Sequence, residues 1–352
     1  MSLFDDYLQD SESLFKDEIA LDHDYIPKKI PFRENENQQI AEVIKPLLKK
    51  RNTANLFITG NPGVGKTLAV KHVFREMEEK GLTDDVYTFY VNCWQKDSAH
   101  KIVLEICNQL NYRFTMSKTT DQLLSEITKR INQKAMVLAL DEIDKLDKEA
   151  LSVIYTLLET TFKRSIILIT NVKTFLSEMD ERILSRLLPQ SLEFKPYTEQ
   201  ETYQILKERV EFAFVQKTFE EEALKKIAKK TYELEDIRTG LFLLREAGNH
   251  AERKLKRKIE EEDANQALEK LSEYKSKNNL EFNEEENKLL ELIKTNSGKS
   301  TKELFNLLKE PISYKTFSRR LETLKKSNTV QTEEINEGES KKTIVYFGSI
   351  KE

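Results

Sequence analysis

The chain has 352 residues, a length that calls for two or three domains rather than one small core. Charged residues make up 34% and glycines number only 9, which suits a helix-rich protein, and no apolar run reaches the length of a transmembrane helix. A net charge of −4 excludes a uniformly basic nucleic-acid binder, so any surface for nucleic acid must be local.

The start, Met1-Ser2-Leu3-Phe4-Asp5-Asp6, lacks the basic-then-apolar order of a signal peptide. Cys93 and Cys107 are isolated, which suits a reducing interior, and the four histidines form no cluster with metal-ligand spacing. Residues 1 to about 20, with Asp5, Asp6, Asp10, Glu12, Asp17 and Glu18, read as a partly ordered acidic lead-in. Pro27 and Pro31 keep the following stretch extended. A helix through Gln38–Lys45 then delivers the chain to a short apolar strand, Asn55–Thr59.

That strand runs into Gly60-Asn61-Pro62-Gly63-Val64-Gly65-Lys66-Thr67, and Leu68, Val70, Val73, Phe74 and Met77 continue at helical spacing. Strand, glycine-rich turn and helix start are the setting in which this pattern cradles phosphates. The glycines let the backbone curl until its N–H groups face phosphate oxygens, and the helix N-terminus adds positive potential. Lys66 is expected to reach the β- and γ-phosphates of ATP, and the Thr67 hydroxyl to ligate Mg²⁺.

Val86–Asn92 is β-branched and aromatic, hence a strand; helices follow near 98–111 and 120–133. Ala135–Leu140 is continuously apolar, as in a parallel strand buried on both faces, and a helix (about 147–161) and the strand Ser165–Asn171 complete a strand–helix alternation. The order predicts an α/β core with a parallel sheet. From Tyr197 to about 275 the chain reads as consecutive helices; its charge run Glu252–Lys258 fits a solvated helix face, and Ser272–Asn279 a linker. The last unit holds three helical segments (283–295, 300–309 with Ser300 or Thr301 as cap, and 313–327), then strand-like runs at 329–335 and 343–347. Three short helices and a hairpin are the order of a winged helix. The expected division is thus 1–196, 197–275 and 276–352.

Asp141 and Glu142 end the apolar strand, where a carboxylate faces the ligand crevice of a parallel sheet. Asp141 is assigned to Mg²⁺ and Glu142 to the attacking water, although an acidic helix start is the alternative for an isolated pair. Asn171 ends the next strand, placed either for the γ-phosphate or as a cap. Arg182 and Arg186 share a helical spacing that fits an arginine finger for a neighbouring subunit or an ordinary exposed face. In Ser313–Lys326, Phe317, Leu321 and Leu324 fall on one face, and Lys315, Thr316, Arg319, Arg320 and Thr323 are placed outside it. Five basic residues against one acidic make this helix a candidate for a major groove, or for a basic protein-docking face.

Together these residues resemble the AAA+ ATPases, and more closely the archaeal origin-recognition proteins related to the eukaryotic ORC and CDC replication initiators. The resemblance covers about 20–350. It rests on Tyr25-Ile26-Pro27 with Pro31-Phe32-Arg33-Glu34, on Tyr90-Val91-Asn92-Cys93, on Asp141-Glu142-Ile143-Asp144, and on the order of core, lid and winged helix. It implies an AAA+ P-loop core with a parallel sheet, an all-α lid and a C-terminal winged-helix domain. It makes Asn171 the first sensor, Arg186 the finger (Arg182 as runner-up) and Arg238 the lid sensor. ATP or ADP is expected against Tyr25, Ile26, the loop Asn61–Leu68, Tyr197 and Arg209. The family commonly has Gly-Asp-Ala-Arg at the lid sensor, where this chain has Glu235-Asp236-Ile237-Arg238. The family's DNA-contacting insertion falls between about 108 and 133; Arg113–Lys118 matches it weakly, and no contact is carried over.

The implied function is a cytoplasmic, nucleoid-associated replication initiator that hydrolyses ATP slowly. It binds double-stranded origin DNA through core and winged helix, and its partners are the replicative helicase and other initiator protomers, with no membrane. The alternatives are an AAA+ regulatory ATPase whose winged helix serves transcription or docking, and a clamp-loader-like motor.

Overall fold

A computed structural model describes residues 13–279, 284–308, 312–326, 330–337 and 340–347. The acidic residues expected before Glu12 therefore lie outside the described residues. The chain divides into two compact units, Met1–Leu268 and Glu269–Glu352.

In the first unit, α1 (Glu34–Leu48) leads to β1 (Leu56–Gly60), α2 (Lys66–Glu79), β2 (Val86–Asn92), α3 (Ala99–Gln109), α4 (Thr120–Ile131), β3 (Ala135–Asp141), α5 (Lys148–Thr160) and β4 (Arg164–Ile169). Two short helices, α6 (Phe175–Glu178) and α7 (Glu181–Leu187), precede β5 (Gln190–Phe194). The sheet is parallel throughout, in the order β2-β3-β4-β1-β5. Every residue of β1 and β3 is buried, because helices cover both faces. Ile40, Ile44, Val70 and Val73 pack on one face with Ile58 and Val137, and Ile102, Ile106, Leu123, Ile154 and Leu157 pack on the other with Phe57 and Leu138.

β5 is a strand that the sequence reading left out. Only Leu192 and Phe194 of it turn inward, the short alternation of an edge strand. Because β4 lies between β1 and β3, the chain leaving β4 stands between the loop that follows β1 and the carboxylates that end β3. Ligands of such sheets bind outside these carboxyl ends.

The lid helices α8 (Glu199–Ala213), α9 (Glu221–Glu233) and α10 (Ile237–Arg253) pack on one another, and a reciprocal Thr198–Glu201 capping box starts α8. α11 (Glu261–Asn279) continues through the stretch expected to be a linker. Its Ser, Asn and Lys residues look like linker composition, yet no Gly or Pro interrupts the helix. Only Glu252 and Arg253 of the run Glu252–Lys258 are helical, and the rest turns between α10 and α11. α10 stops at Arg253, and Lys254 and Lys256 are drawn onto Glu260, Glu262 and Asp263 at the start of α11. No helix among the described residues is long and apolar enough to cross a membrane.

The second unit contains α12 (Glu284–Thr295), β6 (Lys299–Ser300), α13 (Thr301–Leu307), α14 (Tyr314–Lys326), β7 (Val330–Glu337) and β8 (Ser340–Phe347). β7 and β8 form the hairpin, and β6 adds a third antiparallel strand against β8. Ser300 is the cap of α13, in a capping box with Glu303. Leu289, Ile293, Leu304, Phe317, Leu321, Leu324, Val330 and Val345 make a small separate core.

Candidate functional site

The turn after β1 is glycine-dependent at two places. Gly65 sits at φ +93°, the left-handed residue from which α2 starts. At Gly63 (φ +77°) an added Cβ would come within 2.0 Å of Asp236 Oδ1, so the lid approaches this turn too closely for any side chain. Asn61 Nδ2 donates to Glu235 Oε2 at 2.7 Å, a second tie from loop to lid.

Lys66 is buried, and its ammonium donates to Gly60 O (2.8 Å), Asn61 O (2.8 Å) and Asn171 Oδ1 (2.6 Å). Burial pulls its pKa down to about 8, against the attraction of Asp141. Beside it, Thr67 Oγ1 donates to Asp141 Oδ2 at 2.6 Å, and the Tyr90 hydroxyl donates to the same oxygen at 2.7 Å. The other oxygen, Oδ1, accepts from the Glu142 N–H at 3.0 Å. Glu142 has a left-handed backbone (φ +56°), a conformation costly for a residue with a Cβ and concentrated at functional sites. Burial, then the neighbouring Asp141 and Asp144, raise its carboxyl pKa, a shift toward the proton affinity that a general base needs. Asp144 is turned away, accepting from Thr170 Oγ1 at 2.6 Å.

These groups line one end of a cleft of about 880 Å³. Its lining also includes Tyr25, Pro27 and Ile30 from the segment before α1 and Ile205 and Leu241 of the lid, with Lys28, Lys29 and Glu208 among them. Tyr197 and Arg209 both line the cleft. The Arg33 guanidinium lies 3.9 Å from the Tyr197 ring centroid, and Arg209 lies 5.0 Å from that of Tyr25. Arg238 opens into the cleft from the first turn of α10, half exposed, its Nε 3.5 Å from Asp236 Oδ1. Leu68 lies at the cleft wall. Of the remaining loop residues, Val64 is buried, its carbonyl accepting from Arg33 Nε at 3.1 Å, and Pro62 is exposed. Ile26 turns its carbonyl to Arg75.

The residues fit a nucleoside triphosphate with a magnesium ion. A charged lysine, a loop of N–H groups and a helix start lie together, a Thr hydroxyl and an Asp carboxylate already share a hydrogen bond, and Tyr25, Pro27, Ile30, Ile205 and Leu241 add apolar surface to the lining.

Neither candidate finger reaches this cleft. Arg186 donates to Glu159 Oε1 at 2.8 Å and stacks over Tyr155 at 4.7 Å, and Arg182 is paired with Asp180 on an exposed surface.

Arg320 needs correction. It is buried and pairs with Glu285, whereas Lys315 and Arg319 are exposed and Thr316 is half-buried, held by Ser313. Residues 317, 320, 321 and 324 share one helix face, so the spacing that buries Phe317 and Leu324 buries Arg320 between them. Arg320 braces α14 against α12 and has no free guanidinium to offer a ligand.

Three residues beside the cleft hold it through contacts that the sequence does not announce. Arg33 joins Val64 to the Lys195 carbonyl (2.5 Å), Tyr90 holds Asp141, and Arg75 holds the Tyr25 segment. A lone arginine in a proline-punctuated extended segment was the signal available for Arg33.

Residues 49–173 match a family model described as an AAA domain, and residues 203–269 match a Cdc6 AAA+ ATPase-type lid domain. The ORC1-type DNA replication protein 1 of Archaeoglobus fulgidus is 32% identical over 282 residues, spanning 77% of this chain and 69% of the relative. The ORC1-type DNA replication protein 2 of Methanothermobacter thermautotrophicus is 28% identical over 344 residues, 93% of this chain and 90% of the relative. Among solved structures, the Aeropyrum pernix ORC1 protein in complex with DNA is similar with a TM-score of 0.74 at 24% identity, covering 96% of this chain and 95% of that one. The Aeropyrum pernix ORC2 protein in its ADPNP-ADP complexes gives 0.69 at 19%, covering 95% and 94%. At these identities the structural likeness is one of fold. With its AAA domain, its Cdc6-type lid and relatives matched over two thirds or more of their length, this chain belongs to the ORC1-type DNA replication proteins and is an AAA+ ATPase.

Proposed function

We propose that the protein is a replication initiator that uses ATP as a switch, with ATP or ADP held between core and lid and duplex origin DNA held by a winged helix in the second unit. The observation that carries this reading is the meeting of Lys66, Thr67, Asp141 and Asn171 from the ends of three neighbouring strands. Lys66 binds the β- and γ-phosphates, exchanging its carbonyl partners for phosphate oxygens. Asn171 orients the terminal phosphate or the water beside it. Glu142, its carboxyl already shifted up, orients and deprotonates that water. Thr67 and Asp141 would hold a magnesium ion, which would supply charge neutralisation for the phosphates. Tyr25, Ile26, Tyr197 and Arg209 receive the nucleoside, and Arg238 reports the phosphate state to the lid. Arg186, held on Glu159 in the lone chain, acts on a neighbouring protomer's nucleotide, so turnover by single chains is slow.

Lys315, Thr316 and Arg319 present α14 to a major groove, and the β7–β8 hairpin is the wing. The three-part division into core, lid and winged helix, the role in loading the replicative helicase and the nucleoid location belong to the same reading. Its support is the element order of the second unit and the DNA complex formed by the Aeropyrum pernix relative.

Glu142→Gln tests the catalytic half: nucleotide binding is kept and turnover is lost, whereas unchanged turnover removes Glu142 from its role. Arg319→Ala tests the other half. It should lower the slope of log affinity against log salt by about 1, and an unaltered slope rejects the phosphate contact.

A further inference from the structure

The segment between Asp22 and Arg33 lines the cleft, yet no helix or sheet ladder holds it. Its backbone groups therefore find partners outside a ladder, some of them within the segment, as where Tyr25 N donates to Asp22 O at 3.2 Å. Two of its carbonyls are taken by one residue of α2. Arg75 Nη1 donates to Ile26 O at 2.6 Å and Arg75 Nη2 donates to Pro27 O at 2.6 Å, a two-pronged grip on successive carbonyls. Two neighbours on the same helix face join it. Lys71 pairs with Asp24 at 3.6 Å, and the His72 ring lies 3.4 Å from the Arg75 fork.

The residues just before this segment, from Leu14 to Ala20, are tied to the lid. The rings of Phe15 and Phe214 pack 4.8 Å apart, Leu14 N donates to Glu252 at 2.8 Å, and Arg209 Nη1 donates to Ala20 O at 3.4 Å. The N-terminal segment thus lines the cleft while tied to the lid, with Arg75 as its anchor on the core. Since α2 begins at the phosphate loop, Arg75 fixes the distance between the phosphate end of the cleft and the wall formed by Tyr25 and Pro27.

We propose that Arg75 is a positioning residue for the nucleoside end of the cleft: it touches no nucleotide, and by holding the Ile26 and Pro27 carbonyls it sets affinity and selectivity for the base. This rests on the nucleotide reading given above. Lysine is no substitute, because a point ammonium cannot serve two carbonyls in a fixed fork.

The test compares wild type, Arg75→Met and Arg75→Lys by titration calorimetry with ATP, GTP and inorganic tripolyphosphate, each with Mg²⁺, on full-length protein that melts as wild type does. Arg75→Met should weaken ATP about 10- to 100-fold, as expected for losing two charge-assisted hydrogen bonds that preorganise a wall. Tripolyphosphate, which uses only the phosphate end, should stay within about twofold, and the ATP-to-GTP preference should shrink. Arg75→Lys should fall between, and it carries the test if the methionine variant does not fold. Equal weakening of ATP and tripolyphosphate would mean general damage to α2 and overturn the proposal, as would unchanged ATP affinity and preference. Failure of the nucleotide reading looks different: wild type would bind neither ATP nor tripolyphosphate.

Discussion

Replacing Arg33 with methionine isolates the energetics under the phosphate loop. The Arg33 side chain is 6% exposed and makes three hydrogen bonds: Nε to Val64 O at 3.1 Å, Nη1 to Glu36 at 2.8 Å and Nη2 to Lys195 O at 2.5 Å. It also stacks on Tyr197 at 3.9 Å. Methionine keeps the length and apolar stem but leaves a carboxylate and two carbonyls without their donor. Hydrogen bonds to a charged group are worth about 1.5–3 kcal/mol each, and such losses are not additive, so removing one partner of a buried pair costs about 3–5 kcal/mol. We expect a destabilisation of about 4 kcal/mol in urea unfolding, with an unchanged m-value. Trp94, the only tryptophan, lies just past β2 and reports on the first unit. Since the Val64 carbonyl belongs to the loop itself, ATP affinity should fall in parallel. Arg33→Lys should recover part of the loss, as a single ammonium can keep Glu36 but not both carbonyls. A loss below about 1 kcal/mol would refute the reasoning and show the loop to be held by its helix alone.

Three further outcomes are expected. Tyr90→Phe removes one of the two donors on Asp141 Oδ2 and should cost about 1–2 kcal/mol of stability while raising the Mg²⁺ concentration needed for tight ATP binding; an unchanged Mg²⁺ midpoint would sink the assignment. In the nucleotide-free protein Lys66 has a pKa of about 8, so it is neutral above that pH, and phosphates favour its charged form. ATP binding at pH 9 should therefore take up a proton, read as buffer-dependent calorimetric enthalpy, and affinity should fall as pH rises through 8. Arg320→Met should lower the stability of the second unit by about 1–2 kcal/mol and leave the salt slope of DNA binding untouched, the opposite of Arg319→Ala.

The core was legible because β1, β3 and β4 are continuous apolar runs between helical periods, and because the phosphate loop has a spacing that chance seldom supplies. β5 was not, since an edge strand with two inward residues carries little pattern. α14 shows a subtler failure. Its apolar residues were placed correctly, but charge was allowed to decide the place of Arg320, where the 3.6-residue period puts it inward. The groups that hold the site rather than act in it were hidden for a different reason. Arg33, Arg75 and Tyr90 exert their effect on backbone carbonyls and on a carboxylate 31 to 162 residues away in sequence, and no local spacing encodes such contacts.

The turn that starts α10 is held against the phosphate loop. The backbone at Glu235 is left-handed (φ +53°), a conformation glycine adopts freely and glutamate only at a cost of about 1–2 kcal/mol. The Glu235 side chain accepts from Asn61 of the phosphate loop. The turn that launches α10 is therefore held by contact with the loop rather than by freedom of its own backbone. One residue on, Asp236 caps α10 and crowds Gly63; two residues further, Arg238 enters the cleft. Loop and lid are thus joined at two points within four residues. A change in the loop on exchanging Lys66 carbonyl partners for phosphates would reach the lid through Asn61 and Glu235 as well as through Arg238. On the proposed nucleotide switch, this places part of the signal in the loop, so Glu235→Gly should reduce the ATP-dependent change in distance between core and lid, read by paired fluorophores, and an unchanged difference between ATP and ADP would refute the coupling.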